Sequence, residues 1–125
     1  MIWVRFNDLF SNDNEISIIL QKKNLVIGKT ELDITREDKV VSFFKNKHYD
    51  YCINCAAYTN VEQAEKTPET AFKVNAEGVK NLAKICKEAN TILIHISTDY
   101  VFDGKKKEPY IPSDVPNPIN EYGKS

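Results

Sequence analysis

Ile92-Leu93-Ile94-His95-Ile96-Ser97-Thr98-Asp99-Tyr100-Val101-Phe102-Asp103-Gly104 is the stretch that decides the fold. Ile92, Leu93, Ile94 and Ile96 make a nearly continuous apolar run, which reads as a strand buried inside a sheet. A burst of hydroxyl, carboxylate and aromatic side chains follows it at once. Open parallel sheets bind their ligands in the crevice beyond the carboxyl ends of the strands. Thr98 therefore stands where a ligand would bind. The closing Tyr122-Gly123-Lys124-Ser125 brings a second hydroxyl, that of Tyr122, to the same region.

Working outward, Tyr51 to Cys55 reads as another buried strand, and Leu25-Val26-Ile27 as an earlier one ending at Gly28. Met1 to Phe6 reads as a first strand, and Ile16, Ile18, Ile19 and Leu20 as a short helix after it. Thr35-Arg36-Glu37-Asp38 has the spacing of a capping box, with Thr35 accepting from the first-turn amides. It introduces a helix ending near His48, with Val40, Val41, Phe43 and Phe44 on its apolar face. Thr67-Pro68-Glu69 is a strong helix start: a capping hydroxyl, proline at the first helical position and an acid in the first turn. The helix predicted over 68–89 carries two apolar stripes, Phe72-Ala76-Val79-Ala83-Cys86 and Val74-Gly78-Leu82-Ile85. So wide an arc predicts packing on a sheet and on a second copy of the chain, a possible homodimer. Pro109, Pro112, Pro116 and Pro118 hold an irregular segment open until a last helix begins near Tyr122. Strands alternating with helices predict an α/β fold, a doubly wound parallel sheet with helices on both faces. Leu25–Ile27, Tyr51–Cys55 and Thr91–Ile96 are its expected neighbouring parallel strands.

A length of 125 residues fits one domain with a real core, and 42% hydrophobic with 28% charged residues is ordinary for a globular protein. Seventeen basic against eighteen acidic side chains leave no field to attract nucleic acid or an anionic membrane. Lys105-Lys106-Lys107 reads as a solvated loop, and Glu62 and Glu65 as solvated helix charges. No apolar stretch reaches the roughly 18–20 residues that span a bilayer, and no signal segment opens the chain, so a cytoplasmic protein is expected. Three cysteines fit a reducing compartment better than a disulfide framework. Cys52 and Cys55 alternate faces along their strand and read as packing residues, so no metal site is expected.

Four blocks, in order, resemble the dTDP-4-dehydrorhamnose reductase family of the extended short-chain dehydrogenase/reductases. They are Leu32-Asp33-Ile34-Thr35, Asn54-Cys55-Ala56-Ala57-Tyr58-Thr59, Val74-Asn75-Ala76 and Ser97 through Gly104. The resemblance covers about three-quarters of the chain, and the interval from Thr98 to Tyr122 agrees with it. It implies a Rossmann-like fold, NADPH or NADH as cofactor, and a dTDP-linked 4-keto sugar as substrate. It places Asp33 and Ile34 at the adenine, Ala56, Ala57 and Tyr58 beside the ribose and nicotinamide, and Asp99 and Tyr100 at the sugar. Thr98 and Tyr122 become the catalytic hydroxyls. Reducing a ketone takes a hydride to carbon and a proton to oxygen, and a tyrosine supplies the proton well only when its pKa, normally about 10, is lowered. In the family the Lys of a Tyr-x-x-x-Lys signature does this. Where an acid after the second strand would select NAD, Gly28-Lys29-Thr30 stands instead, and Lys29 suits a 2′-phosphate. Asn75 reads equally as a satisfied helix amide and as a contact to the active site.

The amino-terminal end departs from the family. A dinucleotide fold approaches the pyrophosphate through a glycine-rich turn. This chain reads Phe6-Asn7-Asp8-Leu9-Phe10-Ser11-Asn12-Asp13-Asn14 there, with no glycine between Met1 and Ile27. Asp8 and Asp13 would repel phosphate, so weak cofactor binding is expected. The signature Lys would fall one residue beyond Ser125. The chain thus reads as a family member's amino-terminal part, truncated before the substrate-binding portion and inactive alone. The rival expectation is a regulatory or binding subunit, because the methionine adenosyltransferase beta subunit carries a similar Ser-Asp-Tyr-Val-Phe-Asp-Gly stretch.

Overall fold

The structure, a computed structural model, describes residues 18–21 and 25–125. The expected strand Met1–Phe6 and the Phe6–Asn14 turn lie outside them. Four strands, β1 (Ile18–Gln21), β2 (Leu25–Ile27), β3 (Tyr51–Asn54) and β4 (Ile92–His95), form one sheet in the order β2-β1-β3-β4. β3 and β4 pair in parallel, Tyr51 opposite Ile92 and Asn54 opposite His95.

β1 corrects two expectations. The Ile18-Ile19-Leu20 run is a strand, not a helix, because β-branched residues side by side favour the pleated backbone over a short helix. It also lies between Leu25–Ile27 and Tyr51–Asn54, antiparallel to both, so those two strands are not neighbours. They do run in the same direction, since each opposes β1.

The helix α1 (Glu37–Phe44) starts later than the capping-box reading placed it, with Arg36 as its N-cap residue and no side-chain cap. The amide and hydroxyl of Thr35 both donate to Asp33 Oδ1, at 3.0 and 2.7 Å. A charged acceptor two residues back outcompetes the capping geometry. The helix stops at Phe44 rather than His48, because Asn46 adopts a left-handed turn at φ 59°. Val40 and Phe44 point inward, whereas Val41 is exposed. Tyr49 meets Phe44 edge-on at 5.5 Å.

After the short α2 (Val61–Lys66), the long helix runs as α3 (Pro68–Phe72), a π turn over Lys73–Gly78 and α4 (Val79–Glu88). Thr67 does not cap it. Its hydroxyl donates instead to the Gln63 carbonyl at 3.1 Å, closing α2. Of the two stripes, the one with Gly78, Leu82 and Ile85 faces the core, together with Cys86, while Ala76 and Ala83 are exposed. Gly78 permits the closest approach: a β-carbon there would lie 2.7 Å from Ile34 Cγ1.

Ile27, Leu32, Ile34, Val40, Phe44, Cys52, Leu82, Ile85 and Cys86 form the core. Cys52 and Asn54 of β3 point into it, whereas Tyr51, Ile92 and Ile94 lie on the opposite face and are exposed. Among the described residues α1 and α4 therefore cover one face of the sheet, not two. The crossovers from β2 to β3 and from β3 to β4 advance in the same direction across the sheet. Right-handed connections that advance together place their helices on the same side. The fold is α/β and Rossmann-like.

Candidate functional site

Parallel β3 and β4 end together at Asn54 and His95, and the chain leaves each strand into a loop. A cavity of about 420 Å³ opens there, lined among others by Cys55, Ala57, Asn75, His95, Thr98 and Tyr122. Three of the expected site residues, Ala57, Thr98 and Tyr122, thus share one cavity. Cys55, Asn75 and His95 belong to it as well. Their sequence signal was slight: a thiol in place of a family alanine, an amide in a helix, and one histidine inside an apolar strand.

Thr98 leaves β4 in extended conformation and caps the 3₁₀ turn Asp99–Val101, its Oγ1 accepting from the Tyr100 amide at 3.2 Å. Asp99 and Tyr100 are exposed on that turn. Tyr122 lies on α5 (Glu121–Lys124), whose end is fixed by two caps. Asn120 Oδ1 accepts from the Gly123 amide at 2.7 Å, and Glu65 on α2 accepts from the Glu121 amide at 2.7 Å. Glu65 is therefore an anchor rather than a solvated charge. The Tyr122 ring meets Tyr100 edge-on at 5.4 Å. Lys124 is held by Glu121 at 2.6 Å.

Asn75 lines the cavity, and its amide is satisfied by partners outside its own helix. Its Oδ1 accepts from the Tyr58 amide at 2.7 Å, and its Nδ2 donates to the Tyr58 carbonyl at 3.1 Å and to Ser125 Oγ at 2.9 Å. Ser125 in turn donates to the Tyr122 carbonyl at 2.7 Å. One amide ties the loop after β3 to the helical turn carrying Tyr122. The π turn around Asn75 fits such a role, since π turns widen the helix at functional positions.

Asp33, Ile34 and Lys29 lie elsewhere, after the end of β2. That is the same edge of the sheet, because β2 and β3 run the same way. Lys29 is exposed in a turn closed by the Glu31 and Leu32 amides on the Gly28 carbonyl. Burial acts to raise the Asp33 carboxyl, but the Thr35 hydroxyl and amide, helped by Lys29 and Lys73, hold it below its ordinary value. The Ile34 side chain is buried, and its carbonyl accepts from Asn81 at 2.9 Å. Ala56 and Tyr58 are half-buried in the loop after β3. Of these residues only Ala57, beside Ala56 and Tyr58, lines the cavity; Lys29, Asp33, Ile34, Ala56 and Tyr58 do not. Among the described residues no cluster of metal-ligating side chains occurs and no helix is long and apolar enough to cross a membrane.

Fold and cavity define a Rossmann-like α/β protein with a crevice where parallel strands end. The chain belongs to the dTDP-4-dehydrorhamnose reductase family: the family model described as RmlD substrate binding domain matches residues 13–125. It is 48% identical to the dTDP-4-dehydrorhamnose reductase of Mycolicibacterium smegmatis over 102 residues, covering 81% of this chain and 31% of that protein. The crystal structure of a dTDP-4-dehydrorhamnose reductase from Clostridium acetobutylicum matches with TM-score 0.78 and 42% identity, over 83% of this chain and 38% of that one. The Bacillus anthracis enzyme, solved in complex with NADP, matches with TM-score 0.76 and 41% identity, over 78% and 35%. The chain spans about a third of the length of these relatives.

Proposed function

We propose that the protein containing this chain is an NADPH-dependent reductase of a dTDP-linked 4-keto-6-deoxy sugar, working in nucleotide-sugar biosynthesis in the cytoplasm. One observation carries the reading: Thr98 and Tyr122 reach the same cavity from separate elements at the ends of β3 and β4. When bound, the nicotinamide supplies the hydride. Thr98 holds the ketone oxygen by a hydrogen bond, and the Tyr122 hydroxyl gives that oxygen its proton. Asp99 and Tyr100, on the exposed turn that follows Thr98, would meet the sugar. Ala56, Ala57 and Tyr58 border the ribose and nicotinamide, Asp33 and Ile34 the adenine end, and Lys29 meets the 2′-phosphate. NADH is the weaker partner on this account, having no phosphate for Lys29. Residues 1–125 form the cofactor-binding part.

The 125 residues alone are expected to be inactive, since Lys124, two residues from Tyr122, is paired with Glu121 and does not take the place of the signature Lys. Residues Phe72, Ala76, Val79 and Ala83 form the face through which two copies would pair. The absence of glycine between Met1 and Ile27 favours a second reading, a binding subunit without turnover.

NADPH oxidation with dTDP-4-dehydrorhamnose, measured on the full-length protein that contains this chain and on its Tyr122→Phe and Thr98→Ala variants, tests the assignment. Loss of a positioned proton donor lowers kcat by roughly 10²–10⁴-fold. Turnover unchanged in Tyr122→Phe would remove Tyr122 from the chemistry. NADPH binding without turnover would establish the second reading.

A further inference from the structure

The loop that borders the proposed cofactor site is held by a relay through a buried amide. Asn54, the last residue of β3, is fully buried. Its Oδ1 accepts from the Ala56 amide at 3.0 Å, and its Nδ2 faces His95 Nδ1 at 3.1 Å. The Ala56 amide can only donate, so the atom it meets must be the oxygen, and the atom turned toward His95 must be the NH2 group. His95 Nδ1 is therefore the acceptor, and in the neutral ring the proton sits on Nε2. His95 itself lines the cavity.

We infer that Asn54 and His95 form a proton-sensitive positioning pair, which holds the Cys55–Tyr58 loop in its binding shape only while His95 is uncharged. The inference deepens the cofactor reading above and rests on it for its consequence, though not for its geometry. A proton on Nδ1 would set two donors against each other across the strand pair. Rotating the Asn54 amide would relieve that contact only by turning its NH2 onto the Ala56 N–H, another donor pair. Asn54 is sealed from water, so no solvent molecule takes over either bond. Charging His95 thus requires either the ring or the loop to leave its place.

His95 is an exposed residue whose outer ring edge meets solvent, but among the described residues no carboxylate side chain lines the cavity beside it to pair with a charge. Cys55, Tyr122 and Lys124 share the cavity with the ring, Cys52 lies beside Asn54 in β3, and Cys86 comes from α4 behind the strands. The Lys124 ammonium is already paired with Glu121. Although part of the ring is open to the cavity, burial lowers the pKa of His95 from its ordinary 6.5. The relay is therefore complete at neutral pH. Its contribution begins to fade as pH falls below 6.5 and is gone once pH passes below the folded-state pKa.

Nitrogen NMR of the imidazoles in the protein tests this without any cofactor. At pH 7.5 His95 should be the Nε2–H tautomer, and on acidification the Ala56 amide resonance should move with the His95 midpoint rather than that of the other histidine, His48. In His95→Gln the Ala56 resonance should lose this step, while Asn54→Asp, whose carboxylate still accepts from Ala56, should raise the His95 midpoint. NADPH affinity should then fall about tenfold per pH unit below the wild-type His95 midpoint, and His95→Gln should lack that component. An Nδ1–H tautomer, or an Ala56 amide indifferent to His95 titration, overturns the pair. Failure of NADPH to bind at any pH, with the NMR behaviour intact, overturns the cofactor reading alone.

Discussion

Gly123 lies directly against the Tyr100 carbonyl, so close that a β-carbon at residue 123 would collide with that oxygen. The contact presses the turn that carries Tyr122 onto the turn that follows Thr98, and the edge-on packing of Tyr100 and Tyr122 depends on it. The obstacle is backbone, so it cannot swing aside as a side-chain end would. Gly123→Ala should separate the two turns, lower kcat more than the substrate KM, and destabilise the protein by about 1–3 kcal/mol. Steady-state kinetics with thermal unfolding checks it; a variant with wild-type kcat shows that the contact does not position Tyr122.

Gly78 and Ile34 make the corresponding contact on the other side of the core. In Gly78→Ala the new methyl would lie 2.7 Å from Ile34 Cγ1 and 2.8 Å from Cδ1. Overpacking of this kind costs about 1–3 kcal/mol. Ile34→Val removes the Cδ1 methyl and should recover part of the loss when combined with Gly78→Ala. Urea unfolding of both singles and the double variant gives the coupling; strict additivity would mean that the helix shifts as a body instead.

Asn75→Ala removes three hydrogen bonds and leaves the Tyr58 amide without its acceptor. A loss of about 2–3 kcal/mol is expected, from roughly 0.5–1.5 kcal/mol per bond. Asn75→Asp keeps the acceptor for Tyr58 but not the donors, so it should fall between wild type and alanine. Chemical denaturation resolves the order, and an Asp variant no better than Ala would place the importance on the Ser125 and Tyr58 carbonyl bonds.

The three cysteines should react in a fixed order. Cys55 lines the cavity and is half-buried, with burial raising its pKa, so it should be alkylated slowly at pH 7 and faster at pH 9. Cys52 and Cys86 are buried free thiols, and the Cys52 thiol is pushed far up, first by the neighbouring Cys86 and then by burial. Neither should react before unfolding. Mass spectrometry after timed alkylation checks this; rapid native labelling of Cys86 would show that α4 opens from the sheet. Bound NADPH should slow labelling of Cys55.

Much of the architecture was legible locally. Tyr51–Cys55 and Thr91–Ile96 declared themselves as strands, and they pair in parallel with the polar burst after Ile96 at their carboxyl ends, but Ile92, Ile94 and Ile96 are exposed rather than buried because no described helix covers that face of the sheet. Pro68 and Glu69 marked the start of the long helix, and Thr98 and Tyr122 pointed to one crevice. These features depend on short-range preferences: apolar runs, capping residues, and where an apolar strand turns polar.

Other features were decided only in three dimensions. Ile18–Gln21 shows its strand character in its side chains, yet nothing in that run says which partners it takes or in which direction it lies, because the ladder is made with residues far along the chain. Which helix stripe met the core was likewise open, since both stripes are apolar and only the sheet selects one. The Asn54–His95 bond joins residues 41 positions apart, and the Asn75–Ser125 bond residues 50 apart. The sequence by itself determined the class of fold and the two hydroxyls. The tertiary structure decided how the loops are held around them, because a buried amide's partners are chosen by whichever backbone the fold brings within about 3 Å.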